Sequence, residues 1–280
     1  MKANRWILFI FTGLLILNLG CKSNKLPLQK TSDTSFEHTQ IVTDSLYQSK
    51  QQINIIKLQS NPDDNYEIDF GYSNSALKTT SYFGKSEDAL AAINGNFFNM
   101  DEGGSVSYLE INDSIINPSL DPDLKWGITD SIINGAIIIY KDEKVDIHPK
   151  RSGEFYYNSK KEKAVMFTGP LLIQNAKKSN LFDSKFVSDR HPRTCLCKTE
   201  ESILFVTIDG RSANAQGMNL YELQDFLLNI GCLDAINLDG GGSTTMWIHN
   251  KGIVNHPSDK SGERPVANIL LIRKKEENTP

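Results

Sequence analysis

Short apolar runs separated by polar and turn-forming residues fill the chain between Gln51 and Arg273. Runs of this kind, rich in β-branched side chains and bounded by Gly, Asn or Pro, are typical of β-strands. The predicted strands are Ile53–Leu58, Tyr66–Phe70, Ala89–Phe98, Val106–Ile111, Ala136–Tyr140, Ala164–Ile173 and Ile203–Ile208. The pattern therefore predicts a fold in which most of the regular structure is β-strand.

One segment follows a helical period instead. Its apolar positions recur three and four residues apart and are Leu220, Leu223, Phe226, Leu227 and Ile230. Such a one-sided stripe predicts an amphipathic helix whose apolar face belongs to the core. Asn219 followed by Glu222 predicts a capping box at the start of this helix, and Gly231 predicts its end. We therefore interpret Glu222 as a helix cap.

The predicted helix lies between two predicted strands, Ile203–Asp209 and Asp234–Asp239. This order predicts a β–helix–β crossover over residues 203–239, in which the two strands are parallel. Asp209 and Asp239 then lie at the same sheet edge, which is where ligands bind in open α/β sheets. The predicted fold class is α/β (α+β), a single domain with a mixed β-sheet and few helices.

The first residues of the chain have the composition of a secretory signal. Lys2 and Arg5 precede the apolar run Trp6–Leu19, and Gly20 stands directly before Cys21. A charged start, a short apolar run and a small residue at the exit are typical of a signal peptide rather than a membrane span. The Gly-Cys pair resembles a bacterial lipoprotein signal, in which Cys21 becomes the lipidated first residue. A plain signal peptide and an uncleaved anchor are the alternatives.

Composition divides the rest of the chain. Residues 21–50 are polar and have no hydrophobic period, which predicts a tether between a membrane and the domain. Residues 51–273 have the composition and length of one globular domain, and residues 274–280 form a polar tail. With residues 1–20 as the signal peptide, the sequence predicts a lipoprotein of the cell envelope that faces the periplasm or the exterior.

Charge and cysteine content narrow the classes of partner. The net charge of −4 provides no basic surface, which argues against nucleic acid as a partner. Cys195 and Cys197 share a face of a predicted strand and are interpreted as buried thiols, with a bridge to Cys232 as the alternative. The spacing of His, Cys and acidic residues matches no metal motif, so no cofactor is predicted, and calcium stays open as an alternative.

The stretch DAINLDGGGSTTM, from Asp234 to Met246, ends an apolar run on a carboxylate that three glycines follow. A tight hairpin turn is one explanation. A nucleotide-binding P-loop is excluded, because its lysine is missing and the following residues predict a strand instead of a helix. The functional interpretation is a strand end that presents Asp239 beside exposed backbone N–H groups and the hydroxyls of residues 243–245. Such backbone N–H groups form anion-binding concavities.

Three further clusters accompany this stretch. Asp209-Gly210-Arg211 repeats the strand–Asp–Gly pattern, and Asp189–Thr194 places two arginines directly before an apolar strand. In the third cluster, Asn94-Gly95-Asn96 interrupts an apolar run that resumes with Phe97-Phe98. Arginine offers a planar fork of donors that matches phosphate or carboxylate. The clusters therefore predict a site with anion-binding groups and an aromatic wall.

In order and spacing, these clusters resemble the phosphodiester glycosidase family, which includes the enzyme that removes N-acetylglucosamine from a mannose phosphodiester. The matching segments are Asn94-Gly95 with Phe97-Phe98, Thr168-Gly169-Pro170, Arg193-Thr194, Asp209-Gly210, Gly217–Leu220 with Glu222, Asn237–Ser243, His256–Asp259 and Glu263-Arg264. The resemblance covers about Ala89 to Ile272. It departs at Asn96, where the family often has a second glycine. The resemblance implies a hydrolase that cleaves a sugar–phosphate bond.

Within that resemblance, the chemistry of a glycosyl phosphodiester assigns roles to particular residues. Asp239 and Asp209 are expected to be the catalytic carboxylates that stabilise the sugar cation or activate water. Arg193 and Arg211 are expected to hold the phosphate and stabilise its departing charge. The expected substrate-binding residues are Asn94, Gly95, Arg211, Asn237, Gly240, Gly241, Gly242, Ser243 and Thr244.

The predicted substrate is a sugar-1-phosphodiester in envelope or host-derived glycans, reached by a protein held at a membrane through its lipid anchor. Two alternatives belong to other classes. One is a phosphate-independent glycoside hydrolase or transferase that acts on envelope glycans. The other is a noncatalytic glycan-binding lipoprotein, which would not need the paired carboxylates.

Overall fold

The computed structural model describes residues 29–32, 36–60, 65–73, 76–118 and 131–275, and only the backbone of residues 29–32. The strands are β1 (Gln29–Ser32), β2 (Glu37–Thr43), β3 (Gln51–Gln59), β4 (Tyr66–Tyr72), β5 (Ala91–Asn94), β6 (Leu109–Ile111), β7 (Ser114–Asn117), β8 (Gly135–Tyr140), β9 (Val145–Pro149), β10 (Glu162–Thr168), β11 (Leu171–Gln174), β12 (Lys177–Lys178), β13 (Arg193–Lys198), β14 (Ser202–Ile208), β15 (Asp234–Asn237), β16 (Met246–Ile248), β17 (Gly252–Ile253) and β18 (Asn268–Lys274). The helices are α1 (Thr80–Ser86), α2 (Gly153–Ser159), α3 (Lys185–Ser188) and α4 (Leu220–Asn229), and 3₁₀ turns lie at Leu46–Gln48 and Gly241–Ser243. The predicted signal peptide and Cys21 lie outside the described residues.

These strands form three sheets. The first has the order β1-β2-β3-β14-β13-β15-β11-β12, the second β7-β6-β10-β8-β9 and the third β17-β16-β5-β18-β4. The predicted single, mostly β domain with few helices is confirmed. The mixed sheet is corrected in one respect, because every strand pair in the described part of the chain is antiparallel.

The predicted crossover is present as β14, α4 and β15. Its two strands run in the same direction, as expected, but they do not pair with each other, because β13 lies between them and is antiparallel to both. In the register of these strands Arg193 pairs with Ile208 and Cys195 pairs with Asn237. The start of β13 therefore meets the ends of β14 and β15 at one sheet edge.

The core is organised around the first sheet. One of its faces packs against the other two sheets through side chains such as Phe205, Ile137 and Leu270, one from each sheet. Its opposite face packs against α4, whose Leu223 and Leu227 are fully buried. This confirms that the apolar stripe of the helix belongs to the core, as the helical period predicts.

The helix also begins as predicted. The Asn219 side chain accepts a hydrogen bond from the Glu222 N–H at 2.8 Å, and the Glu222 carboxylate accepts one from the Asn219 N–H at 3.1 Å. Glu222 further binds Arg190. Gly231, which follows the helix, has a φ of 91°, a conformation that suits glycine. The interpretation of Glu222 as a cap is confirmed.

Several predicted strands are shorter than their apolar runs. The run Ala164–Ile173 is divided into β10 and β11 at Gly169-Pro170, where the peptide bond is cis. Proline cannot donate to the ladder, so it ends a central strand. The run Ala89–Phe98 contains only β5, because the chain leaves the sheet after Asn94. Glu37–Thr43, inside the predicted tether, form β2 and pair with Gln51–Lys57 of β3, so the sheet extends N-terminal of the predicted domain start.

The cysteines differ from the favoured interpretation. Cys197 forms a disulfide with Cys232, and their Cα atoms are 5.7 Å apart, which suits such a bond. The turn after α4 returns the chain to the sheet, where Cys197 pairs with Ala235, and this brings Cys232 within reach. Cys195 is a buried free thiol, as predicted. None of the helices in the described part of the chain has the length and hydrophobicity to cross a membrane.

Candidate active site

Asp239 follows β15, and its backbone is fixed from both sides. Its N–H donates to the Gly95 carbonyl at 3.1 Å, and its own carbonyl accepts from Asn94 Nδ2 at 2.7 Å. The Asn94 Oδ1 accepts in turn from Thr194 Oγ1 at 2.7 Å and from Thr245 N at 3.2 Å. Asn94 is fully buried. It therefore positions Asp239 and the chain that follows, as do the neighbouring Gly95 and Thr194.

The three glycines after Asp239 allow close approach of other groups. A Cβ at Gly240 would lie 2.7 Å from the Pro192 carbonyl oxygen. One at Gly241, where φ is 60°, would lie 3.0 Å from a guanidinium nitrogen of Arg211. One at Gly242 would clash with Arg264 and Asp259. Because glycine has no Cβ, two guanidinium groups can rest directly on this loop.

A cavity of about 670 Å³ opens at this edge. Its polar lining is His191, Arg193, Arg211, Asp239, Gly240, Gly241, Gly242, Arg264 and Ser184. Its apolar lining is Phe97, Phe98, Met100, Ile132, Phe182 and Phe186. The volume falls within the range of ligand-binding pockets, about 300–1,000 Å³. The predicted aromatic wall of Phe97 and Phe98 is thus found beside the predicted glycine loop.

Arg264 is a cavity residue that the sequence-based site assignment omitted. Its Nε donates to Asp259 Oδ2 at 2.7 Å and its Nη2 to Asp259 Oδ1 at 3.0 Å, a bidentate pair that fixes the plane of the guanidinium. Its Nη1 lies 3.5 Å from Ser243 Oγ. The only sequence signal for it was the Glu263-Arg264 match within the family resemblance.

The pKa of Asp239 is set by effects that act in opposite directions. Desolvation raises its pKa to about 6, and hydrogen bonds from Ser243 and the Gly240 N–H, together with the positive charges of Arg264 and Arg211, oppose that rise. Gly240 N donates to Asp239 Oδ1 at 2.9 Å. A carboxyl group with a pKa near neutrality can exchange a proton at physiological pH. Perturbed carboxylates of this kind in a cavity are candidates for catalysis.

Arg193 lines the cavity, but most of the donors of its guanidinium bind backbone carbonyls of the protein itself. Its side chain is 1% exposed. Its Nε donates to the Met218 carbonyl at 3.0 Å, and its Nη2 donates to the carbonyls of Phe186 and Asp189 at 2.8 and 3.0 Å. Burial lowers the pKa of Arg193 to about 9, and the charge of Arg211 acts in the same direction. Arg193 therefore joins three chain segments and leaves only Nη1 for a ligand.

Arg211 is the exposed cation of the site. Its φ of 59° is unusual for a residue with a side chain, and such backbone strain clusters at functional sites. Its Nη2 lies 3.3 Å from His191 Nδ1. Burial lowers the pKa of His191, and the charges of Arg193 and Arg211 lower it further. Arg193, Arg211 and Arg264 form the cationic side of the cavity, and the His191 imidazole lies beside Arg211.

Asp209 does not join Asp239 in the cavity, which differs from the expected carboxylate pair. Its carboxylate accepts from Asn255 Nδ2 at 3.0 Å and from the His256 N–H at 3.1 Å, and it lies 3.3 Å from His256 Nδ1. It is 2% exposed, and desolvation raises its pKa. Both aspartates end strands at the predicted edge, yet Asp209 is directed into the 255–256 loop that supports the glycine loop.

The remaining predicted substrate-binding residues, Asn237, Ser243 and Thr244, are buried next to the cavity and do not line it. Asn237 Nδ2 donates to the Gly169 carbonyl at 2.9 Å, and Asn237 is 1% exposed. Ser243 and Thr244 are also buried, and Ser243 donates a hydrogen bond to Asp239. The described part of the chain contains no group of three or more His, Cys, Asp or Glu side chains that would hold a metal ion.

Comparison with known proteins decides the family. A sequence model described as phosphodiester glycosidase matches residues 87–273. The chain belongs to the phosphodiester glycosidase family. The matched region contains every cavity-lining residue named above, so the family assignment and the site geometry concern the same part of the chain.

The alignments with individual relatives cover only a part of each relative. The chain is similar to the SPbeta prophage-derived uncharacterized protein YomE of Bacillus subtilis (strain 168), with 25% identity over 75% of this chain and 33% of that protein. It is also similar to N-acetylglucosamine-1-phosphodiester alpha-N-acetylglucosaminidase of Mus musculus and of Homo sapiens, each 37% identical over 27% of this chain and 14% or 15% of the relative. The chain thus spans a third or less of these relatives.

Two solved structures share the fold. The catalytic domain of zebrafish N-acetylglucosamine-1-phosphodiester alpha-N-acetylglucosaminidase, auto-inhibited by its pro-peptide, has a TM-score of 0.65 and 18% identity, over 90% of this chain and 85% of that chain. A hypothetical protein from Synechocystis has a TM-score of 0.67 and 14% identity, over 90% of this chain and 64% of that chain. At these identities the likeness concerns the fold.

Proposed function

We propose that this protein hydrolyses the bond between the anomeric carbon of a sugar and the phosphate of a phosphodiester. The observation that carries the proposal is one cavity in which the Asp239 carboxylate shares the glycine loop with the guanidinium groups of Arg211 and Arg264. Family membership supports the same activity. Such a substrate contains one anionic group to be held and one carbon that becomes cationic, which these groups match in charge.

In the proposed reaction the bond from the anomeric carbon to the bridging phosphate oxygen breaks, and its electron pair leaves with the phosphate. Water forms the new bond to that carbon and loses a proton. Asp239 stabilises the cationic sugar and accepts the proton, and its pKa of about 6 suits that role at neutral pH. The products are a free sugar and a phosphate monoester.

A phosphate leaving group reduces the need for a second carboxylate. In most glycosidases a carboxylic acid protonates the departing oxygen. A phosphate monoester instead leaves as an anion, and donors aimed at the developing charge stabilise it. Arg264 is held rigidly by Asp259, and Arg211 rests on Gly241, so both are preorganised for this task. The placement of Asp209 outside the cavity is therefore compatible with the reaction.

A substrate panel tests this function. Purified protein is offered N-acetylglucosamine-1-phosphate methyl ester, other sugar-1-phosphodiesters and neutral aryl glycosides, and free sugar is measured. We expect release from the phosphodiesters alone. Release from the neutral glycosides at equal or higher rates would favour a phosphate-independent glycosidase, and binding without any release would favour a glycan-binding protein.

We further propose that the protein is a lipoprotein of the cell envelope, anchored through Cys21, so that it meets glycan substrates outside the cytoplasm. The support is the charged start, apolar run and Gly20-Cys21 of the sequence. The disulfide between Cys197 and Cys232 agrees with an oxidising compartment.

Replacing Cys21 with Ser is expected to move the protein from the membrane fraction to the soluble fraction and to abolish labelling by radioactive palmitate. Activity per molecule should be unchanged, because Cys21 precedes the first described strand and the cavity lining lies between Phe97 and Arg264. Fractionation, palmitate labelling and the phosphodiester assay measure these three properties. Membrane association with palmitate signal in the Cys21→Ser protein would refute lipidation at this residue.

A further inference from the structure

Part of the cavity has no task in the reaction proposed above. Six apolar side chains line it: Phe97, Phe98, Met100, Ile132, Phe182 and Phe186. Phe97 and Ile132 belong to one buried cluster against which Phe182 and Phe186 pack, and the rings of Phe97 and Phe186 lie 6.2 Å apart. The six side chains come from the segment after β5, from Ile132 before β8 and from the segment around α3, and together they form the apolar lining of one cavity, hereafter the aromatic wall.

Arg193 lies between the aromatic wall and the other charged side chains of the cavity, and it contacts the wall at Phe186. The Arg193 guanidinium lies 5.0 Å from the centre of the Phe186 ring and donates to the Phe186 carbonyl at 2.8 Å. Arg193 is fully buried, so this link is part of the fold rather than a surface contact. The aromatic wall is therefore directly adjacent to the arginines of the cavity. A molecule whose phosphate is bound by these arginines would place its neighbouring group against the wall.

The chemistry of the wall argues against the sugar as its occupant. A sugar ring can stack one C–H face on a single aromatic ring, but hydroxyl groups surround its edge, and hydroxyls buried among several apolar side chains without partners are costly. The segment from Phe182 to Phe186 contributes one polar side chain to the cavity, Ser184, whose Oγ accepts a hydrogen bond from the Val187 N–H. A single acetamido methyl group is too small to cover six side chains from several loops. The wall suits a larger group without hydroxyls.

We propose that the preferred substrates carry an apolar aglycone, an alkyl or aryl alcohol esterified to the phosphate, which packs on the aromatic wall during hydrolysis. This inference rests on the proposed function, since it places the phosphate at Arg211 and Arg264. The sugar then lies at Asp239, and the apolar group lies on the opposite side of the phosphate.

The test compares N-acetylglucosamine-1-phosphate esters of methanol, butanol and octanol, with kcat/KM measured for each. We expect an increase of up to about fourfold for each added methylene that the wall buries, hence more than tenfold from methyl to butyl. Hydrolysis of all three esters at equal kcat/KM would overturn this inference and leave the proposed function standing. Hydrolysis of none of them, and of no other sugar-1-phosphodiester in the substrate panel, would overturn both.

Two variants test whether the increase in kcat/KM with alcohol length arises at the aromatic wall. Phe182→Ala removes a partly exposed ring of the wall and should reduce the ratio of butyl to methyl kcat/KM at least about threefold. The matched control is Phe155→Ala, an aromatic residue 42% exposed on α2 and outside the cavity, which should keep the wild-type ratio. An equal ratio in both variants would overturn the assignment to the wall. So would a gain confined to substrates lengthened at the N-acyl group of the sugar.

Discussion

Replacing Asp239 with Asn is expected to lower kcat on a sugar-1-phosphodiester by at least ~10², the lower end of acid–base contributions. Asparagine keeps the size of the side chain and its hydrogen bond from the Gly240 N–H, but it has no charge to stabilise a sugar cation and cannot accept a proton. Steady-state kinetics on the methyl ester measure the effect. Wild-type turnover in this variant would remove Asp239 from the mechanism and leave the glycine loop as a scaffold.

The same Asp239→Asn substitution should keep or raise the stability of the folded protein while it lowers kcat. Desolvation raises the pKa of Asp239 to about 6, so at neutral pH the folded protein holds a carboxylate that water would solvate better. Asp239→Asn removes that cost, and we expect a melting temperature equal to or above that of the wild type. Asp209→Ala is the comparison, since it leaves the buried Asn255 side chain and the partly buried His256 N–H without their acceptor. It should lower stability by about 1–3 kcal/mol, with less than a tenfold loss of kcat.

The pH dependence follows from the same group. Asp239 must be ionised to act, so kcat/KM should fall about tenfold per pH unit below a pKa of about 6. Because the folded-state pKa lies above the unfolded value, the contribution of Asp239 to stability decreases as the pH rises from the ordinary carboxyl range to about 6, and is constant above it. Activity and this part of the stability therefore change in opposite directions over that window.

Truncating Arg264 to Ala is expected to lower kcat/KM on phosphodiesters by about 10²–10³, the usual cost of losing one donor to a developing anion. The guanidinium is held bidentately by Asp259 against Gly242, so its position is set before the substrate arrives. The dissociation constant of inorganic phosphate, measured by calorimetry, should increase in parallel, which gives a reading that does not depend on turnover. An unchanged dissociation constant for phosphate, with activity lost, would contradict a phosphate-binding role.

Two other arginines serve as controls for Arg264. Arg151 lies over the Phe155 ring, outside the cavity, and Arg151→Ala should leave kinetics and phosphate inhibition unchanged. Arg193→Ala should mainly lower stability, because it removes a buried guanidinium that donates to three backbone carbonyls, of which that of Met218 is buried. A stable Arg193→Ala protein that loses phosphate binding alone would restore Arg193 as the principal phosphate ligand.

The sequence placed Asp239, the glycine loop and Arg211 together, and they line one cavity in the structure, because the signals for them are local. Three successive glycines after a strand-ending aspartate indicated close approach of other groups, and Arg211 and Arg264 make that approach. The order of strand and helix in the crossover placed Asp209 and Asp239 at one edge. The helix cap and the aromatic pair Phe97-Phe98 were also found where the pattern predicts them.

What the sequence could not predict depends on side-chain direction and on distant contacts. The position of Asp209 at a strand end is correct, but only the packing of the 255–256 loop shows that its carboxylate is directed away from the cavity. Arg193 resembles a phosphate ligand until the carbonyls of Met218, Phe186 and Asp189 are found around it. In each case the deciding partner lies outside the local motif.

Because of the disulfide between Cys197 and Cys232, the stability of the protein depends on whether its compartment is oxidising or reducing. It joins cysteines 35 residues apart, and the loop it closes contains Asp209, Arg211 and α4 but not Asp239. In a chain-entropy description, a loop of this length restricts the unfolded state by about 4 kcal/mol. A reducing cytosol would remove that contribution before folding began, so the chain is more stable where it is oxidised. The fold is therefore more stable in any compartment in which this disulfide can form than in one that keeps both cysteines reduced.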